Sequence, residues 1–192
     1  MASDGLYAYL FVTGVKAPEA SVSGQIANVR ELIRDEGPVR FASEVVGAYK
    51  AVVALEVGSG DLAGLQDFLG GAEYGGTQFE WDGFDYALVV EGPAYTTAVN
   101  TLMYPKRPGC DVLAFVRISV EAGRAREVLG RLGDELGPTF HGAAIVFGGT
   151  DILLTLEATE FETVAQVALA ELQHVSGVTA TETSFADVRR YG

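Results

Sequence analysis

Two histidines, one cysteine, one tryptophan and two similarly placed glutamates are the side chains of this chain that most readily suggest catalysis. His141 and His174 could move protons or hold an iron, with Trp81 nearby, and Glu56 and Glu157 could pair as acid and base. Their sequence contexts point elsewhere. His174 falls near a predicted helix end, where an imidazole complements the helix dipole. Trp81 alternates with polar neighbours as core aromatics do. Glu56 and Glu157 read as solvated strand ends. Cys110 reads as a small buried hydrophobe at a strand entrance, and one cysteine with two histidines cannot assemble a zinc set. No phosphate-cradling Gly loop, Gly-x-Ser-x-Gly elbow or His-Glu-x-x-His helix occurs, so no cofactor is expected. What does stand out is a concentration of glycine, hydroxyl and carboxylate groups in short loops of an otherwise apolar segment. It comprises Gly148-Gly149-Thr150-Asp151 and the threonines of Val178 to Thr183.

The elements that would position these residues occur twice. VRELIRDEGP (Val29 to Pro38) is answered by LGRLGDELGP (Leu129 to Pro138). VVGAYKAVVALEV (Val45 to Val57) is answered by VFGGTDILLTLEA (Val146 to Ala158). Gly47 and Gly148, and Glu56 and Glu157, stand 101 positions apart (148 − 47), and Phe11 and Phe115 stand 104 apart (115 − 11). Offsets that drift by a few residues are what loop insertions leave behind.

In the second copy, Val112 to Val120 reads as a strand. Ala125, Val128, Leu129, Leu132 and Leu136 form one helix stripe, which Gly137-Pro138 stops. Phe140 to Phe147 and Ile152 to Ala158 form a hairpin about Gly148-Gly149-Thr150-Asp151. A second stripe, Phe161, Val164, Ala165, Ala168 and Leu172, ends at Ser176-Gly177 before a last strand, Val178 to Val188. The order is βαββαβ.

The first copy repeats this order less cleanly. Leu6 to Val15 is a strand, and Val22, Ile26, Val29 and Ile33 form a helix stripe. Val39 to Val46 and Ala51 to Val57 make a hairpin. Asp61 caps a helix bearing Leu62, Leu65, Phe68 and Leu69. Thr77 to Asp82 alternates as a half-buried strand, which Phe84 to Val90 could extend. The division is then a first module over 1–90, a linker over 91–109 and a second module over 110–192.

Composition bounds the function. The 192 residues are 48% hydrophobic and 20% charged, an ordinary globular balance. No apolar run reaches the roughly 20 residues of a membrane span, so no membrane role is expected. The start reads as a first strand rather than a signal peptide, and the lone cysteine favours a cytoplasmic setting. The formal net charge of −13 repels phosphate backbones, and direct nucleic-acid binding is not expected.

AFVRISVEAGRAREVLGRL, VFGGTDILLTLEA and LQHVSGVTATETSFADV together resemble the ligand-binding domain of the Lrp/AsnC transcription factors over about eighty residues. Shared features are the Gly-x-(Tyr/Thr)-Asp hairpin and the closing Ser-Gly-Val-x-x-Thr-x-Thr strand. The first copy keeps only Gly47-Ala48-Tyr49-Lys50, with Lys50 in the acid's place, and there is no room before Leu6 for the family's helix-turn-helix. The resemblance implies an α+β fold of two ferredoxin-like βαββαβ modules that close an intramolecular, pseudo-dimeric barrel. It also implies a small amino-acid-like effector bound through Gly148, Thr150, Asp151, Thr181 and Thr183, with Gly47 and Tyr49 as first-copy counterparts. Asp151 would receive an ammonium group, and hydroxyls and backbone N–H groups would hold a carboxylate.

The expected role is therefore a stand-alone effector-binding or regulatory protein, with a protein partner or a homo-oligomer as further associations. The alternative is an enzyme. Dimeric α+β barrels also host cofactor-poor and haem-dependent oxygenases, with the site in the barrel cleft. The missing nucleophile–base signature favours binding over catalysis.

Overall fold

The computed structural model describes residues 6–14, 23, 24, 26, 27, 29, 38–58, 61–69, 81–90, 92, 95–97 and 109–187. The first half contributes strands β1 (Leu6–Val12), β2 (Val39–Glu44), β3 (Val46–Gly47), β4 (Ala51–Val57) and β5 (Phe84–Val90), and helix α1 (Leu62–Leu69). A short strand β6 (Thr96–Thr97) follows. The second half contributes β7 (Val112–Val120), α2 (Ala125–Leu136), β8 (Phe140–Gly148), β9 (Ile152–Ala158), α3 (Phe161–Gln166) and β10 (Val178–Asp187). Helix α3 runs on as a π-helical turn, Val167–Glu171, and a tight 3-10 turn, Leu172–His174.

The sheet order is β2-β4-β1-β5-β8-β9-β7-β10-β3, with every described pairing antiparallel. Within the first half the strands lie in the order second, third, first, fourth, and the second half repeats that order. This is the ferredoxin-like arrangement. β3 continues β2 past Val45 and pairs with β10, so the path returns to its start and the sheet closes as a barrel.

Period-two alternation sorts the side chains. Tyr9 and Phe11 of β1 meet Leu113 and Phe115 of β7 inside the barrel, in one buried cluster with Val52, Val89, Val146 and Leu153. The opposite face of β7, Ala114, Val116 and Ile118, packs under Val128, Leu129, Leu132, Val164 and Leu172 of the helices. In the first half Ala8, Leu10 and Val12 pack with Ile26, Val29, Leu65 and Trp81. Three layers result, with helices outside and one interior shared by both halves. Burial of each large side chain contributes roughly 1.5–3 kcal/mol, so the shared interior binds the halves strongly.

Two glycines make the seams. Gly47 pairs with Ser184 of β10, and Gly148 pairs with Ala87 of β5. Their φ angles are +139° and +157°, and an added Cβ would collide with the carbonyl oxygen of Thr183 or Tyr86 respectively. Each half thus places a hairpin glycine against the closing strand of the other, and only glycine allows that approach.

Most predicted elements are found, with instructive differences. The strand expected at Thr77 to Asp82 is not the closing strand of the first half. Phe84–Val90 pairs with β1 instead, while Trp81 makes an isolated bridge and 77–80 lie outside the described residues. Val22, Ile33 and the side chain of Phe68 also lie outside them. Asp61 does cap α1, its Oδ1 accepting from Gly64 N at 3.1 Å. α2 begins at Ala125, just after Gly123 takes a positive φ of 81°. Leu62 and Phe161, expected on buried stripes, are exposed in the first turns of their helices. Part of the expected linker is ordered against the second half. Thr96 and Thr97 pair with Ala144 and Ala143, and Tyr95 stacks 5.2 Å from the Arg126 guanidinium. Cys110 is half-buried at the entrance to β7.

Candidate binding site at the barrel mouth

Arg117 interrupts the apolar run of β7, and alternation with Leu113 and Phe115 turns it into the barrel. Its side chain is only 4% exposed. Nη1 donates to Asp85 Oδ2 at 2.9 Å and to Glu182 Oε2 at 3.1 Å, and it also touches the Tyr49 hydroxyl. Tyr49 in turn donates to Asp85 Oδ2 at 2.6 Å and lies 3.3 Å from Glu182 Oε2. The guanidinium carbon sits 5.2 Å and 5.3 Å from the ring centres of Phe11 and Tyr49, within cation–π range. Burial pulls the Arg117 pKa below its ordinary value, and Glu182 opposes that shift. Arginine titrates so far above neutrality that the group stays cationic.

The carboxylates come from the closing strands of both halves. Asp85 shares the inward face of β5 with Ala87 and Val89, and Glu182 shares that of β10 with Ser184 and Ala186. Above Arg117 opens a cavity of about 270 Å³, lined also by Ser119, Thr150 and Thr181. Two lining groups, Arg117 Nε and Thr150 Oγ1, are buried without a hydrogen-bond partner among the described residues. Such orphans are uncommon and costly, roughly 1–3 kcal/mol each.

Of the residues implicated by sequence, Tyr49 and Thr150 gather here, and Thr181 borders the hollow from the face of β10 that it shares with Thr183. The others do different things. Gly47 and Gly148 form the seams. Asp151 holds the turn, its Oδ2 accepting from Val120 N at 2.9 Å while its backbone N–H donates to Ile118 O. Thr183 shares its face with Phe185, which packs toward the helices, so its side chain turns away from the barrel. Asp151→Ala should lower stability by about 1 kcal/mol, the worth of one exposed charged hydrogen bond, measured by urea denaturation. A loss of more than about 3 kcal/mol would show that the turn depends on more than this contact.

At the other end of the interior lie two further pairs. Arg40 Nε donates to Glu56 Oε2 at 2.7 Å, and His141 Nδ1 lies 3.4 Å from Glu157 Oε2. Glu157 is fully buried, not a solvated strand end, because its side chain faces the interior beside His141. His174 is exposed, its Nδ1 2.7 Å from Ala170 O. Two other hollows are described. One of about 360 Å³ lies beside Gln173 and Thr179, and one of about 310 Å³ beside Glu162 and Glu171. Neither contains a buried charged side chain, so the mouth is the described hollow in which geometry and charge converge.

No family model and no curated protein matches the chain. Among solved structures it is similar over nearly its whole length to ferredoxin-like α+β barrels, and that is the class its fold defines. An anthrone oxidase-like protein aligns with a TM-score of 0.54 and 16% identity over 96% of this chain and 92% of its own. A mutant chlorite dismutase from Candidatus Nitrospira defluvii, in complex with cyanide, aligns with a TM-score of 0.52 and 14% identity over 97% and 92%. AsnC of E. coli aligns over 43% of this chain and 54% of its own, with a TM-score of 0.38 and 22% identity. Among the described residues no helix is long and apolar enough to cross a membrane.

Proposed function

We propose that the chain is a stand-alone small-molecule-binding, regulatory protein whose amino-acid-like effector sits at the barrel mouth. The observation that carries this reading is the Arg117 guanidinium, buried at the floor of a polar cavity with Nε unpartnered and Thr150 Oγ1 unpartnered beside it. A bound oxygen acceptor would give such a group the partner it lacks. Tyr49 and Thr181 line or support the same place, while Gly47, Gly148, Asp151 and Thr183 fix the hairpins and closing strand that frame it. Modules 1–90 and 110–192 are read as a duplicated unit whose copies enclose one site, with 91–109 as the connection. The setting is cytoplasmic, and the associations are the effector and a protein partner or further copies of the chain. The test is thermal-shift screening with amino acids and related metabolites, since ligand binding to the native state raises its apparent stability. No shift with any of them would set the reading aside.

Duplex DNA should not be retarded at physiological salt, because a chain of net charge −13 offers no basic groove. A gel shift that weakens steeply with salt would contradict this.

A second reading, a cofactor-poor or haem-dependent oxygenase with its site in the barrel cleft, draws on the buried His141–Glu157 pair. Drug-sized ligands occupy roughly 300–1,000 Å³. A tetrapyrrole is larger than the hollow of about 270 Å³ at the mouth, and neither histidine lines that hollow. The described residues therefore do not fit haem there. Visible absorbance of the purified protein separates the haem form of this reading from effector binding, and substrate-dependent oxygen consumption separates the cofactor-poor form.

A further inference from the structure

Resting on the mouth as a binding site, we infer that it selects a ligand pairing a cationic amine with a neutral oxygen acceptor over a free amino acid or a simple carboxylate. An amino amide or an amino alcohol has this chemistry.

Charge is the first ground. Arg117 supplies one positive charge and Asp85 and Glu182 one negative charge each, so the cluster is net negative. Arg117 is already shared between both carboxylates through Nη1. Each carboxylate uses only one oxygen on it, leaving Asp85 Oδ1 and Glu182 Oε1 without a partner among the described residues. Both side chains are about half exposed, at 56% and 52%, so an entering group can reach them. An ammonium brings three donors and one positive charge to this place. A ligand carboxylate would be a third anion competing for one guanidinium, which like-charge repulsion disfavours. The −13 net charge of the chain adds a field of the same sign.

The buried orphans are the second, independent ground. Arg117 is nine-tenths buried, and its Nε–H can only donate. It therefore calls for an acceptor, and a carbonyl or hydroxyl meets that need without bringing a further negative charge. Thr150 Oγ1 is a second buried polar group without a partner among the described residues. The cavity of about 270 Å³ is lined mainly by polar side chains, so the apolar part of the ligand is short.

The experiment is calorimetric titration of the full chain at low ionic strength with four probes: L-alaninamide, L-alanine, ethylamine and propionate. L-alaninamide should bind about tenfold or more tighter than L-alanine, because the ammonium contact is common to both and the amide removes the repulsion of a third carboxylate. Ethylamine should bind more weakly than L-alaninamide, and propionate should give no heat. Glu182→Gln and Asp85→Asn, isosteric changes at accessible positions, should each reduce the advantage of L-alaninamide over L-alanine. If L-alanine or propionate binds as tightly as L-alaninamide, amine selection is overturned and the mouth stands as a binding site. If none of the four binds, the inference falls. The metabolite screen then decides the broader reading, because a hit there that Arg117→Met abolishes keeps the mouth.

Discussion

Gly148→Val should cost about 3 kcal/mol or more, enough to open the seam between β5 and β8. A β-branched residue at φ +157° is strained in any surroundings, and its Cβ would collide with the Tyr86 carbonyl oxygen. That oxygen belongs to a strand locked to β1 by a seven-residue ladder, so it cannot step aside cheaply. Gly130→Ala is the matched control. Gly130 lies on the exposed side of α2 with nothing within 4 Å of an added Cβ, and alanine there should stabilise by about 0.5–1 kcal/mol. Urea denaturation of both variants reads the difference. A loss under about 1 kcal/mol for Gly148→Val would mean that the seam is not held as described.

Arg117→Met should separate binding from folding. Methionine keeps much of the apolar stem packed on Phe11 and Tyr49, and the Tyr49 hydroxyl keeps its bond to Asp85. The two carboxylates it releases are half exposed and can be solvated, so stability should change by only about 1 kcal/mol. Affinity for a mouth ligand should fall by about 1.5–3 kcal/mol, or roughly tenfold to more than a hundredfold, because charged hydrogen bonds are lost. Calorimetry on the best ligand of the screen measures this, and an unchanged dissociation constant would remove Arg117 from the site.

The strands and helices of the second half were legible because its apolar periods are clean. Val112 to Val120 and Ile152 to Ala158 match the observed strands residue for residue. The closing strand of the first half was harder to read. Thr77 to Asp82 alternates more regularly than Phe84 to Val90, yet β5 must face the barrel on one side and α1 on the other, and so reads as a nearly continuous apolar run. The glycines were legible as special positions, but their reason was not. Gly47 and Gly148 answer to strands from the opposite half, a contact no local pattern records.

The site was half legible for a similar reason. Thr181 and Thr183 were favoured over Glu182, although alternation turns Glu182 inward. In Thr-Ala-Thr-Glu-Thr-Ser no large apolar residue marks the buried face, and a one-residue slip then exchanges the faces. Arg117 did leave a signal. A charged residue within an apolar strand run is costly unless it is paired, so it asks for carboxylates across the sheet. Asp85 and Glu182 are those carboxylates.

The most direct test is amide chemical-shift mapping of the isotope-labelled protein as the best ligand of the screen is added. If the mouth is the site, the amides of Ser119, Gly149 and Thr150 move together and saturate with one dissociation constant. Shifts confined to Gln173, Val178 and Thr179, or to Glu162, Gln166 and Glu171, would place the ligand in another hollow and contradict the account.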